Sequence, residues 1–580
     1  MRPFPDQETP AAEPHSSHRL DPTAPVHTVA PDRWYWDLLV SLPYFGAILF
    51  LSLALRNNIG FPLDDSWIHQ VIARNLVFSH SWGFTPGVTS SGSSSTLWTL
   101  VLAPQYLLFP HTNPVFYPLI VNALLLAACG ALLWRMARLD GLSVPESVAL
   151  GVLPAFSGNL GWLAFTGMEH VLFMGLSLLS IVLWFRKGSS RRVSLLAGVS
   201  MALLGLARPE GLALVVALLV IYRWCGRTLA DAFRAGIVAL FLIAPSLLLN
   251  LRTSGTLLPM TLKGRRFLYL GTDKLHVGRS TFRGLILDTS RQVIAHHFFH
   301  THSRLILLPA GILAIIGLVV LVKRFPNRTS VLCLWAILDY TAYCVTLPEP
   351  GHGGRYQPFV LLLFPALMAA GLMYILRGAV EWARANRVQR WLSWASVALV
   401  AGVTGLTLPR WQNALHDSIA DINATHVKMA NWINENYPPG TTMAVFDIGA
   451  IGYYAHIHVV DLGGLVDRNY LPYLVQRRVP EYLSERGIRY VILPHTGSET
   501  KFGDLLNLLH NPAVRLVPIH TEGGDAATWA NGFAYTGNAF RQQTLYRIEP
   551  VPPDQRYAAA TERDTHIAAA ATEGIDSGER

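Results

Sequence analysis

The chain has 580 residues, of which 51% are hydrophobic and only 14% charged, with a mean hydropathy of +0.33. Soluble globular chains carry nearer a quarter charged residues, so the composition excludes an ordinary soluble enzyme and points to a polytopic membrane protein. The formal net charge of +9 sits largely in short Lys/Arg clusters between apolar runs, a topology signal rather than a nucleic-acid footprint.

Residues 1–34 are polar and lack a signal-peptide core, which predicts a disordered cytoplasmic tail followed by an uncleaved anchor. Apolar runs approaching the roughly 20 residues that span a bilayer occur near 35–55, 115–136, 147–166, 170–186, 193–207, 209–224, 236–251, 304–323, 330–347, 358–377 and 391–408. The run 97–109 is too short and is expected to lie at the outer surface as a juxtamembrane or re-entrant helix. Basic clusters at Arg135/Arg138, Arg186/Lys187/Arg191/Arg192, Arg223/Arg227, Lys323/Arg324/Arg328 and Arg377/Arg384/Arg387/Arg390 belong on the cytoplasmic side. The threading that satisfies them has about eleven spans over 35–408, with the N-terminus inside, the C-terminus outside and a first outer loop at 56–114.

Residues 409–550 change character. The helical stretch "ADINATHVKMANWINENY" stops at Pro438-Pro439-Gly440. Short β-branched runs then alternate with helical patterns, which predicts a small extracytoplasmic α/β domain. In "FDIGAIGYYA", Gly449 and Gly452 read as packing glycines at a strand-to-helix turn, since no G-x-G-x-x-G is present. The Ala- and Glu-rich residues 551–580 read as a disordered tail. Cys129, Cys225, Cys333 and Cys344 lie in or beside apolar runs, which excludes a disulfide framework or a Cys-ligated metal.

This threading gathers Asp64/Asp65, Glu169, Arg208/Glu210, Lys263/Arg265/Arg266 and His352/Arg355 on one face of the membrane. The motifs carrying them are "LDDSWIHQVIARNL…WGFTPG…SSGSSSTLWTLVLAP", "FTGMEHVLF", "LARPEGLAL", "GTLLPMTLKGR" and "GHGGRYQPFVLLLFP". In that order and spacing, over roughly residues 40 to 375, the chain resembles the GT-C class of membrane glycosyltransferases, most nearly its arabinofuranosyltransferase-like bacterial branches. The resemblance implies an α-helical polytopic GT-C-like fold. It also implies inverting transfer of a sugar from a polyprenyl-phosphate donor to a glycan, lipid or protein acceptor on the outer face of the cell membrane.

That chemistry needs a base, cations for the departing phosphate, and a groove for the lipid. Asp64 matches the first acid of the family's pair and is the better candidate base, with Asp65 capping the helix that follows; both could equally be helix caps. Glu169 is expected to orient the acceptor or a partner of Asp64, or else to be a rim residue. Arg208, at a proline break, fits a phosphate with its planar fork, or forms a structural pair with Glu210. Lys263 and Arg265 suit a lipid phosphate or merely headgroups. His352, Arg355 and Tyr356 offer donors on a glycine-rich loop that lets backbone approach closely.

Neither His-x-x-His nor acids clustered in one loop signals a metal. Trp67, Trp82, Trp98 and Trp162 are expected near the outer surface, stacking on sugar or lying in an interfacial belt; "SSGSSSTLW" is a lid or a connector. The competing class is a transporter or lipid flippase. Such proteins place charges at mid-membrane and repeat their spans, and neither feature is visible here.

Overall fold

Each apolar run read from the sequence carries helix in the computed structural model. The structure describes residues 34–554, apart from 91, 187–189, 271–281, 300, 302, 348–350, 382–385, 496–502, 504, 510, 524–541 and 553. The predicted tails over 1–34 and 551–580 therefore lie almost wholly outside the described residues, as do Lys187, Arg384 and the side chain of Arg266.

Seven helices among the described residues are long and apolar enough to cross a bilayer. An eighth is added if Val144–Phe156 and Gly158–Phe165, bent by 59°, are one broken span. The bend has a local cause: Ser157 is extended (φ −82°, ψ 106°), and a side chain on Gly158 would meet Trp411 at 2.6 Å. The runs at 170–186 and 209–224 form helices of only 15 and 10 residues, His170–Trp184 and Gly211–Val220, and Arg191–Ala207 has 17. These fall short of the roughly 20 residues a straight span needs. By length and composition the count is thus seven or eight, against the eleven expected. The 97–109 run is the helix Thr96–Leu108.

Helix starts follow capping chemistry. Thr228 and Asp231 form a capping box before Leu229–Ser254, and the Ser95 hydroxyl accepts from the Trp98 N–H at 3.1 Å, each satisfying an orphan donor. The expected interfacial tryptophans are placed differently: Trp67, Trp98 and Trp162 are completely buried. Trp98 Nε1 donates to the Gly167 carbonyl at 2.8 Å, and all three rings pack inward rather than facing lipid. Nor is "SSGSSSTLW" a detached lid, since Ser93 and Ser95 are buried within it.

Outside the spans, the helix Leu408–Ile422 runs through a π-turn at Asn423–Val427 into Lys428–Asn436, ending just before the Pro-Pro-Gly stop. Beyond it lie β1 (Thr442–Val445), β2 (His458–Asp461), β3 (Tyr490–His495), β4 (Val514–Gly523) and β5 (Gln542–Pro550). They form one sheet in the order β2-β1-β3-β5-β4. β1 is parallel to β2 and β3, whereas β5 is antiparallel to β3 and β4. The expected α/β domain is present.

The helix that follows the acidic pair, Asp65–Phe78, shares this domain's core. Its Ile68, Val71 and Ile72 pack with Met429, Ile433, Val445, Ile448 and Ile451. Each such buried side chain contributes about 1.5–3 kcal/mol, so the loop at 56–114 and the C-terminal sheet are held as one body. Gly449 and Gly452 are packing glycines, as read, but against that loop: a Cβ would stand 2.0 Å from the Asp64 carbonyl oxygen and 2.4 Å from the Phe84 ring, respectively.

Candidate functional site

The two adjacent acids point to different partners. Asp64 Oδ2 accepts the Gly449 N–H at 2.7 Å and Oδ1 the Ala450 N–H at 2.6 Å, so this carboxylate caps the outer-domain helix Ile448–Tyr454 rather than its own. Burial pushes its pKa up to about 6. Asp65 opens the helix Asp65–Phe78 and turns instead toward the membrane domain. Its Oδ2 takes Arg355 Nη2 at 2.5 Å and also pairs with Arg265. Burial opposes ionisation of Asp65, but Arg265, Arg355 and His352 outweigh it and hold the carboxyl well below its usual range.

The two guanidiniums are braced by aromatics. Arg355 lies 5.1 Å and Arg265 5.5 Å from the centre of the Tyr356 ring, and Tyr356 is itself stacked on Tyr343 with 5.4 Å between centroids. The His352–Gly354 turn that delivers Arg355 depends on its glycines. Gly353 has φ +65°, and a Cβ there would enter the Trp162 ring at 2.3 Å. Arg265 is seated by the α/β domain, because Gly264 abuts its Gly463-Gly464 turn, so closely that a Cβ on Gly264 would stand 2.4 Å from the Gly464 oxygen.

A second, deeper group adjoins the first through Tyr343. Glu169 is fully buried; its Oε1 accepts from Arg208 Nη1 at 2.7 Å and from Ser94 Oγ at 3.3 Å, and His69 Nε2 lies 3.3 Å from Oε2. Although burial works against the ionised form, His170, His69 and Arg208 hold Glu169 well below the ordinary carboxylate range. Pro209 disfavours a helical Arg208, which is extended at φ −154°, ψ 145°. Its guanidinium also donates to Glu210 Oε1 at 3.1 Å and the Tyr343 hydroxyl at 2.8 Å. The fork is thus occupied by protein carboxylates and a phenol.

Lys263 Nζ donates to the Ser254 carbonyl at 2.9 Å, at the C-terminal end of Leu229–Ser254, where a cation suits the helix dipole. Beside the Glu169 group a small cleft opens, lined by Ser94, Thr96, Pro209, Leu212, Ile243 and Leu258 among others. Leucines and Ile243 line one side, and Ser93, Ser94, Thr96, Ser246 and Asn250 give it a polar side, of which Ser94 contacts Glu169.

Of the residues expected from the sequence, the structure brings Asp65, Arg265, Arg355 and Tyr356 together, with His352 close enough to act on Asp65 electrostatically. It joins Glu169 to Arg208, directs Asp64 to the outer domain and sets Lys263 on a helix end. Sequence reasoning missed His69 and Tyr343. His69 stands four residues after Asp65 on the same helix face, a spacing that could have flagged it; Tyr343, inside an apolar span, carried no signal.

Residues 417–546 match a family described as a domain of unknown function, DUF8728. No curated protein matches the sequence. Among solved structures, ArnT from Cupriavidus metallidurans in the apo state aligns with a TM-score of 0.53 at 13% identity, covering 88% of this chain and 98% of ArnT. ArnT bound to undecaprenyl phosphate gives 0.50 at the same identity and coverage. An Archaeoglobus fulgidus oligosaccharyltransferase, tethered to an acceptor peptide with an NVT sequon, gives 0.50 at 13% identity over 80% of this chain and 69% of that one. The likeness shows the fold: the chain is built like ArnT and this oligosaccharyltransferase.

Proposed function

We propose that the protein is an inverting membrane glycosyltransferase that moves a sugar from a polyprenyl-phosphate donor to an extracytoplasmic acceptor (glycan, lipid or protein). The observation that carries this reading is Asp65, ion-paired with Arg355 and Arg265 in a group that adjoins a cleft beside Glu169. ArnT with undecaprenyl phosphate shares the fold, which supports a lipid-phosphate ligand.

In this reading the donor's phosphate meets Arg265 and Arg355, and its prenyl chain leads away past Leu212, Ile243 and Leu247 on the cleft's apolar side. An acceptor hydroxyl attacks the anomeric carbon as the bond to the phosphate oxygen breaks, and that oxygen leaves with the electron pair. The negative charge growing on the phosphate draws both guanidiniums off Asp65. Asp65 regains basicity at that moment and takes the acceptor's proton late, when the anomeric carbon is already cationic. Such general-base assistance is worth about 10²–10⁴-fold. Glu169, Arg208 and Tyr343 position the basic pair and one wall of the acceptor site; Lys263 and His352 add positive potential. Asp64 is more basic than Asp65, but both its oxygens face amides of the outer domain. The membrane topology that goes with this reading has eleven spans, counting short and broken helices as crossings, with the site on the extracytoplasmic face.

The test is to incubate purified protein with a panel of polyprenyl-phosphate sugars and an envelope extract as acceptor, and to follow free polyprenyl phosphate. Release with at least one donor is expected. Movement of intact donor across a vesicle membrane without cleavage would instead make the protein a flippase.

A further inference from the structure

A second cluster, unused by the transfer chemistry, lies where the outer sheet meets the first outer loop. Asp64, His426 and Asp447 come from three distant segments, yet each offers a ligand atom within 4.8 Å of the others. His426 belongs to the π-turn Asn423–Val427 of the long helix, and Asp447 follows β1. Gln543, near the start of β5, completes the group and is fully buried.

Hydrogen-bond sense fixes the imidazole. The Thr425 hydroxyl has one hydrogen and donates it to the Asp421 carbonyl at 2.6 Å. At its 2.7 Å contact with His426 Nδ1 that oxygen must therefore accept, so Nδ1 carries the hydrogen. On the other side, Gln543 Nε2 lies 3.0 Å from His426 Nε2 and donates to Asp447 Oδ2 at 2.9 Å. His426 Nε2 faces Asp447 Oδ2, 3.5 Å away. One imidazole nitrogen and two carboxylates converge around the Gln543 amide; a cation there would take the place of the ring's second proton. The same amide's Oε1 is buried and has no hydrogen-bond partner among the described residues.

This is the donor set and orientation of a metal site. Metal-binding histidines usually donate their second ring N–H to a fixed oxygen, the role Thr425 fills. Turning over the Gln543 amide replaces its two hydrogens with Oε1, a fourth ligand from a side chain already in place. We propose that Asp64, His426 and Asp447, with the Gln543 amide oxygen, bind a divalent first-row cation of the Zn2+ or Mn2+ kind. The mixed imidazole and carboxylate donors favour these over Mg2+ or Ca2+, which take oxygen ligands. The ion pins the outer domain onto the first outer loop at the residue before Asp65. The inference stands apart from the transferase reading, because its readout is binding.

The test uses the full-length protein in detergent with no affinity tag, stripped with EDTA and passed into chelator-free buffer. Thermal unfolding is followed while ZnCl2 or MnCl2 is added, with MgCl2 and CaCl2 as comparison arms, and bound metal is counted by mass spectrometry. A saturable rise in Tm with Zn2+ or Mn2+ and about one ion per chain are expected. Asp447→Asn, nearly isosteric, should abolish the rise. Thr425→Val, which removes only the oxygen that orients the ring, should weaken binding about 10–100-fold. No bound ion and no saturable rise in the wild type would overturn the proposal, as would an undiminished rise in Asp447→Asn. Either result would leave the cluster as a hydrogen-bonded clasp.

Discussion

Asp64 and Asp65 adjoin in the chain but do not share partners, because successive helical residues point about 100° apart. That separation was legible; which acid faces which domain was not, since the arginines that claim Asp65 lie 200 and 290 residues away. The placement of Arg265 and Arg355 carries a prediction about geometry. Arg355→Lys and Arg265→Lys keep the charge and lose the planar fork, so each should weaken donor binding, with Ala weaker still; wild-type binding by all four variants would make these arginines structural. A second prediction concerns pH. In the free protein Asp65 is held below the usual carboxylate range and stays ionised as pH falls through that range. When donor phosphate draws the guanidiniums away, the group returns toward its ordinary value of about 3.9. The acidic limb should therefore lie at higher pH in kcat, which reports the bound complex, than in kcat/KM, which reports the free enzyme. Coincident limbs would mean that the donor does not displace the arginines.

At the scale of elements, apolar periodicity and capping residues located nearly all the helices, and β-branched runs located the strands. What stayed hidden was closeness between elements. Gly449 was legible as a packing glycine, but not its partner, because contact with the Asp64 backbone joins segments 385 residues apart. Gly449→Ala should destabilise the docking of the outer domain by about 1–3 kcal/mol, the usual cost of overpacking, seen as a lower Tm and faster proteolysis of the outer domain. Gly402→Ala is the comparison: its Cβ would meet nothing within 4 Å, and within a helix Ala is favoured over Gly by up to about 1 kcal/mol. Equal losses in the two variants would deny the close contact. The three tryptophans were misplaced for a related reason. Sequence position near an outer loop says nothing about whether a ring faces out to lipid or inward between helices.

For the molecule as a whole, composition and apolar runs made a polytopic helical protein with a C-terminal α/β domain readable before any coordinates. The number of crossings was harder to read, because short and bent helices such as His170–Trp184 and Val144–Phe165 do not declare themselves by length. Orientation can be tested by fusion: alkaline phosphatase joined after residue 550 should be active, and in the loop at 186–192 inactive. The reverse pattern would put the site on the cytoplasmic side. The central claim is that Asp65 takes the acceptor's proton in a sugar transfer, and it is tested most directly by turnover of Asp65→Asn and Asp64→Asn at saturating polyprenyl-phosphate sugar, read as released polyprenyl phosphate. Asn nearly preserves shape but accepts no proton near neutral pH, so Asp65→Asn should lose about 10²–10⁴-fold in turnover while still binding donor, and Asp64→Asn should lose much less. Near wild-type turnover for Asp65→Asn, with the larger loss falling on Asp64→Asn, would contradict this account and assign the base to Asp64.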